Sequence, residues 1–321
     1  MHIVITGANG FVGKALAQRL CGMGTLGSRT ITRLTLLDLS FDNVLSGDVA
    51  VSQRSGSIAD QDWLVSQFPA SDTMDVVFHL ASIPGGMAET HYELSRAVNL
   101  DATQTLLELG QTQQQAGGPA PIFVFASSIA IFGTMDGPVS DDTPARPLMT
   151  YGAQKRIGEI LLEDFSRRGW VDGRSLRLPG VLARPPANTG QLSAFMSDII
   201  RELAAGRPFV CPTSAAATIW ASSLTNVIDN LIHGAVVPAQ QLAGQRTFTL
   251  PTQVCTMEAL AQAVGRVYQV PAMELVQFSP NKRIETLFGR FPPLLTGHAD
   301  TAGFKADANL DALVRDALLT A

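Results

Sequence analysis

The residues best placed to do chemistry are Tyr151 and Lys155 in the segment Tyr151-Gly-Ala-Gln-Lys155, with Ser127-Ser128 upstream. Four positions apart on a helix, the phenol and the ammonium share a face. A cation so placed favours the phenolate, which lowers the phenol's pKa and makes it a usable base near neutrality. A serine hydroxyl beside them can orient an alcohol and steady a developing carbonyl oxygen. The three groups together suit removal of a proton from a hydroxyl whose carbon is being oxidised. Alone, Tyr-x-x-x-Lys is also an ordinary helix-surface pattern, so its meaning depends on what stands upstream.

The stretch Thr6-Gly7-Ala8-Asn9-Gly10-Phe11-Val12-Gly13 follows an apolar run, His2–Thr6, and opens a helix-like one. A glycine at 7 permits a tight turn, one at 10 lets backbone approach a pyrophosphate, and one at 13 allows close helix–strand packing. The helix start then offers N–H groups and partial positive charge to phosphate. Asp38 ends a second apolar run, Arg33–Asp38, where a carboxylate can accept from both ribose hydroxyls and repel a 2′-phosphate. No Lys or Arg follows it until Arg54, so the pattern favours NAD over NADP.

Further strand candidates are Asp75–Leu80, Ile122–Ser127 and Arg174–Leu178, alternating with helix candidates Phe11–Gly22, Gln61–Phe68, Ala88–Gln115 and Thr150–Arg168. This alternation predicts an α/β chain with a doubly wound parallel sheet of Rossmann type. After Pro179 the texture changes. Arg184–Gly190 reads as a loop, helices are expected near Leu192–Ala205, Ser223–His233, Met257–Tyr268 and Leu310–Leu319, and a strand at Thr247–Leu250. The expected division is a nucleotide-binding domain over 1–180, its sheet completed by about 221–250. A smaller, mostly helical substrate lobe is expected over 181–220 and 251–321.

Composition narrows the partners. Of 321 residues, 46% are hydrophobic and 16% charged, the balance of a packed domain; the net charge of −5, without a Lys/Arg cluster, argues against nucleic acid or an anionic membrane. Five scattered histidines and three cysteines (Cys21, Cys211, Cys255) lack ligand spacing, so no metal is expected. The chain opens directly on a strand with no leader pattern and contains no 18-residue apolar run, and a cytoplasmic location is expected.

The glycine pattern, Asp38, His79-Leu80-Ala81, Asn99, Ser127-Ser128 and Tyr151-x-x-x-Lys155 together resemble the extended short-chain dehydrogenase/reductase family, which includes nucleotide-sugar epimerases. The resemblance implies NAD as cofactor and Ser128, Tyr151 and Lys155 as the catalytic set. It places Gly7, Asn9, Gly10, Phe11, Val12, Asp38, Leu80, Ala81, Ser82, Asn99, Leu178, Pro179 and Val181 along the cofactor, with Tyr151 and Lys155 reaching it too. Ser57-Ile58 stand at the adenine loop, where many members carry Asp and an apolar residue. It also implies a homodimer built on the helices Ala88–Gln115 and Thr150–Arg168.

The segments Asp141–Pro144, Tyr151–Glu159, Ser166–Arg174 and Leu176–Pro179 resemble a branch of that family that oxidises D-erythronate with NAD. That implies oxidation of a secondary hydroxyl of a small sugar acid, here to 2-oxo-tetronate. A nucleotide-sugar epimerase or reductase with retained NAD is the alternative. A sugar-acid carboxylate calls for a fixed cation, and Arg184 is the candidate; a loop-anchoring salt bridge is its other reading. Ser127, Ser128, Tyr151 and Arg184 form the expected substrate set.

Overall fold

The computed structural model describes residues 1–69, 71–185 and 193–318. Contacts divide the chain into two compact units, Met1–Gly133 with Pro144–Arg177 and Leu231–Thr249, and Thr134–Thr143 with Leu178–Asn230 and Leu250–Ala321. The first holds a seven-stranded sheet: β1 (His2–Thr6), β2 (Arg33–Asp38), β3 (Ala50–Ser55), β4 (Val76–His79), β5 (Ile122–Ser128), β6 (Asp172–Leu178) and β7 (Thr247–Thr249). Their spatial order is β7-β6-β5-β4-β1-β2-β3, all parallel. The order reverses between β1 and β4, and such a switch point opens a ligand crevice at the carboxyl ends of the strands.

Every residue of β1 and β4 is buried, which is why both read as unbroken apolar runs. β3 has no counterpart among the expected strands. Its sequence, Ala-Val-Ser-Gln-Arg-Ser, is polar and half-exposed, and only the ladder to β2, from Arg33–Ala50 to Asp38–Ser55, makes it a strand.

Three helices of the first unit matter for the site: α1 (Phe11–Met23), α2 (Ala102–Gln115) and α3 (Thr150–Arg167). The single helix expected over Ala88–Gln115 is broken instead into Gly85–Thr90, Tyr92–Arg96, a π-helical turn Ala97–Asp101, and α2. His91, at φ −128° and ψ 62°, makes the first break. The second is a local widening of the helix, and such turns occur often at functional sites. The first unit's core packs Val4, Leu37, Val77, Leu106, Phe123 and Phe165 between sheet and helices.

In the second unit, Thr218–Ser222 pairs parallel with Gly180–Val181 and antiparallel with Gln253–Thr256, while Phe209–Cys211 pairs parallel with Val276–Phe278. These short strands accompany the helices Phe195–Ala204, Met257–Tyr268, Lys282–Phe288 and Leu310–Leu318 of this unit. Of the stretch 221–250, only Thr247–Thr249 joins the large sheet. The second unit's core gathers Ile199, Leu203, Ile219, Leu260, Val264 and Leu313. Residues 186–192, which hold Asn188 and most of the expected Arg184–Gly190 loop, lie outside the described residues, and the helix expected from Leu192 spans Phe195–Ala204.

Leu313 is fully buried on the last helix, Leu310–Leu318, and its truncation would leave a cavity. Leu313→Ala should cost about 2–5 kcal/mol, read as a lower denaturation midpoint in urea.

Candidate active site

The glycine loop is built by contact. Gly7 sits at φ +69°, and a Cβ there would come within 2.7 Å of the Ala81 nitrogen, while one on Gly13 would stand 2.0 Å from the Gly7 carbonyl oxygen. Only hydrogen fits at either position. α1 starts at Gly10 with no side-chain cap and no acidic residue in its first turn. Asp38 ties this loop to the end of β2: Oδ2 accepts from the Asn9 N–H at 2.7 Å and Oδ1 from the Leu39 N–H at 2.7 Å. Ala8, also in the loop, donates to the Leu37 carbonyl at 3.2 Å.

Leu80, Ala81 and Ser82 follow β4 and are half-buried. The π-turn places the Asn99 side chain on the next residue, where it accepts from the Ile83 N–H at 2.8 Å and donates to its carbonyl at 3.0 Å. The same amide donates to Gln154 Oε1 at 2.7 Å, and Gln154 donates to Ser95 Oγ at 2.9 Å. Gln154, the residue just before Lys155, thus holds α3 to the segment that carries Asn99. Ile58 is buried in the core, and Ser57 Oγ accepts from the Ala59 N–H at 3.2 Å.

His79, at the end of β4, is fully buried and bridges two threonines. Thr103 Oγ1 donates to the Asn99 carbonyl at 2.8 Å, so it accepts from His79 Nε2–H at 2.8 Å. That leaves Nδ1 to accept from Thr6 Oγ1 at 2.7 Å, and Thr6 accepts in turn from the Ala81 N–H at 3.3 Å. Burial, reinforced by the Lys155 charge, lowers the imidazole pKa to about 3.

α3 lies against the turn Ile129–Ile131 at Gly152, where a Cβ would be 2.1 Å from the Ala130 carbonyl oxygen. This contact brings the start of the Tyr151 helix onto the turn that begins at Ser128. Ser128 is half-buried and caps that turn, accepting from the Ala130 N–H at 3.1 Å. Thr150, at the start of α3, donates its N–H to Glu89 at 2.5 Å. Lys155 is 2% exposed, with Nζ 4.6 Å from the centre of the Phe125 ring and 5.7 Å from that of Tyr151. Burial pushes its pKa down to about 7, opposed by the Glu159 charge one turn further along α3.

Ser127 stands apart from its neighbour. It is 2% exposed and donates to Glu159 Oε1 at 2.5 Å, so its hydroxyl is spent inside the protein. The substrate contact expected of Ser127 would have only the oxygen's lone pairs to use, because its hydrogen is committed to the carboxylate.

Leu178, Pro179, Val181 and Arg184 belong to the second unit. There the Arg184 N–H donates to Ser197 Oγ at 3.2 Å, and its carbonyl accepts from Arg201. Ala183 just before it is held at φ +57°, a conformation uncommon outside glycine. Trp220 is buried and donates its Nε1–H to the Pro292 carbonyl at 2.7 Å.

A model of the NAD dependent epimerase/dehydratase family matches residues 3–226. The chain belongs to this family. It is 36% identical to a D-erythronate dehydrogenase of Cupriavidus necator, over 98% of this chain and 97% of that one. It is 31% identical to a D-erythronate dehydrogenase of Haemophilus influenzae, over 98% of each. Among solved structures, a nucleoside-diphosphate-sugar epimerase from Agrobacterium tumefaciens superposes with a TM-score of 0.89 at 33% identity, covering 98% of this chain and 92% of that one. An L-threonine dehydrogenase from Cupriavidus necator superposes at 0.82 with 22% identity, covering 99% of each, a likeness of fold.

As a family member, the chain is an NAD-dependent dehydrogenase. Its residues fit that cofactor: the turn at Gly7, Gly10 and Gly13 leaves backbone bare where phosphate must approach, and the uncapped start of α1 carries no competing carboxylate. Among the described residues no group of His, Cys, Asp and Glu has the arrangement of a metal site.

The buried supports were not legible. Gln154 and Glu159 lie on the same helix as Tyr151 and Lys155, but their partners come from elements distant in sequence. The signal available was the size of Gly152 and Gly158 in an otherwise well-formed helix, which marks close packing. His79 carries the testable charge. The unfolded chain binds its proton near the ordinary value and the folded one only near 3, so stability falls as pH drops below about 6.5. This one group should cost up to ~1.4 kcal/mol per pH unit. The His79 ring nitrogens should still report the neutral form at about pH 4.5 by ¹⁵N NMR, with Nε2 carrying the hydrogen.

Proposed function

We infer that this protein oxidises a secondary hydroxyl of a small sugar acid, D-erythronate to 2-oxo-tetronate, using NAD. The observation that carries the chemistry is the buried Lys155 ammonium beside the Tyr151 ring. Bound NAD supplies the two-electron acceptor at its nicotinamide ring. Tyr151 as phenolate takes the proton of the substrate hydroxyl while the carbinol carbon becomes a carbonyl. Lys155 holds positive charge next to that phenolate and favours it. Ser128 donates a hydrogen bond to the substrate oxygen and steadies it as the double bond forms. Arg184 is assigned to the substrate carboxylate, for which a guanidinium offers a two-pronged partner.

The substrate assignment draws on two relatives named D-erythronate dehydrogenase that align over nearly the whole chain. The Agrobacterium structure, named as a nucleoside-diphosphate-sugar epimerase, supports the second reading. The basic residues between Pro185 and Trp220 favour the first. Only Arg201 and Arg207 occur there. Arg207 forms a two-bond pair with Glu202 at 2.6 and 3.0 Å, and Arg201 pairs with Asp198. A nucleotide diphosphate would have to compete with those carboxylates for both.

A homodimer is part of the proposal. Ile157 and Ile160 on α3 are exposed, while Leu161 and Phe165 turn into the first unit's core. No helix among the described residues is long and apolar enough to cross a membrane.

Following NADH absorbance with NAD and a panel of four- to six-carbon aldonates tests the substrate, with D-erythronate expected to react fastest. Silence across the panel, with NAD retained through purification, would transfer the assignment to an epimerase. Tyr151→Phe should lower kcat by on the order of 100- to 10,000-fold while NADH binding, read by fluorescence, stays intact. Turnover within a few-fold of the parent would remove Tyr151 from its role.

A further inference from the structure

A buried carboxylate that the proposed reaction does not use joins several of the elements around Ser128, Tyr151 and Lys155. Glu159 is fully buried on α3, one turn beyond Lys155. Its carboxylate accepts two bonds from Arg177 on β6, at 2.8 and 3.0 Å, one from Arg156 at 2.9 Å, and one from Ser127 at 2.5 Å. Arg177 is itself buried, donates to Thr249 on β7 at 3.3 Å, and stacks with its guanidinium carbon 5.4 Å from the centre of the Phe132 ring.

These contacts bracket Ser128. Ser127 immediately precedes it on β5, and Phe132 ends the turn that Ser128 caps. The same turn meets α3 at Gly152, next to Tyr151. One buried ion pair therefore grips the chain on both sides of Ser128 and also the helix that carries Tyr151 and Lys155. We propose that Glu159 and Arg177, acting through Ser127 and Phe132, are positioning residues that hold Ser128 in register with Tyr151 and Lys155. The inference rests on the catalytic set assigned above and adds what sets its geometry.

Lys155 is faced by Glu159 on its own helix and by His79 on β4, with Tyr151 a turn before it. Arg177 and Arg156 both engage Glu159, so the carboxylate is held by two guanidinium groups as it faces the ammonium. Loss of the Ser127 bond leaves those charges paired. Loss of the carboxylate does not.

The test is therefore Ser127→Ala, with Glu159→Gln as the stronger perturbation where circular dichroism shows that it folds. The chain has three tyrosines, Tyr92, Tyr151 and Tyr268, so 3-fluorotyrosine labelling yields three ¹⁹F resonances, assigned with Tyr151→Phe. In Ser127→Ala the Tyr151 resonance should shift or broaden while the other two hold, with the far-ultraviolet circular dichroism of the parent retained. On D-erythronate, kcat should fall about 10- to 100-fold, with KM and NADH affinity within about twofold, because the bound groups are kept and only their alignment is lost. A Tyr151 resonance that stays in place in Ser127→Ala overturns the proposal, whatever happens to turnover. If the parent enzyme does not oxidise D-erythronate, the substrate reading fails and the ¹⁹F measurement still decides the positioning role.

Discussion

An ammonium and a carboxylate lie buried one helical turn apart on α3, and the surroundings of the site are arranged to make that tolerable. Taking a charge out of water costs several kcal/mol unless partners replace the solvent. Glu159 obtains four hydrogen bonds, from Arg177, Arg156 and Ser127. Lys155 obtains the faces of Phe125 and Tyr151 and the attraction of Glu159, and its pKa still drops to about 7. An ammonium destabilised in this way is one that a ligand oxygen or a phenolate can stabilise strongly. The residues that satisfy Glu159 come from β5, β6 and α3, so meeting the charge requirement also fastens these elements together.

The cofactor side follows a different logic, in which side chains are removed. Glycines at 7 and 13 allow backbone to touch backbone at distances a Cβ would forbid, and α1 begins without a cap of its own. Asp38 uses both oxygens on backbone amides, so the acidic residue expected beside the cofactor also holds the loop in shape. His79 continues this bracing inward, with Thr6 and Thr103 on its two nitrogens, and burial, reinforced by the Lys155 charge, disfavours its cation.

Legibility followed burial. β1 and β2 read clearly because both faces of a central parallel strand are covered, which leaves a continuous apolar run. β3 left no such trace, since an edge strand keeps one side in water and owes its form to the ladder with β2. The break at Asn99 was invisible for a related reason. Its sequence suits an ordinary helix, and the widened turn coincides with side-chain bonds to Ile83 and Gln154, 16 and 55 positions away. Ser127 and Ser128 look interchangeable as letters, yet one hydroxyl is consumed by Glu159 and the other caps the next turn.

Local spacing was enough to propose the Tyr151–Lys155 pair, the glycine turn and the acidic residue at the end of β2 as site residues, because each would work through neighbours within one turn, loop or strand. It was enough for the layered α/β plan as well, since hydrophobic period is a property of short segments. Folding alone decided which of the two serines is committed to Glu159, where the helix before α2 opens, and how Glu159 and Arg177 meet across 18 positions. Those outcomes depend on burying a charge or a polar group, and whether burial is met by a partner is settled only when strands and helices from distant parts of the chain close around it.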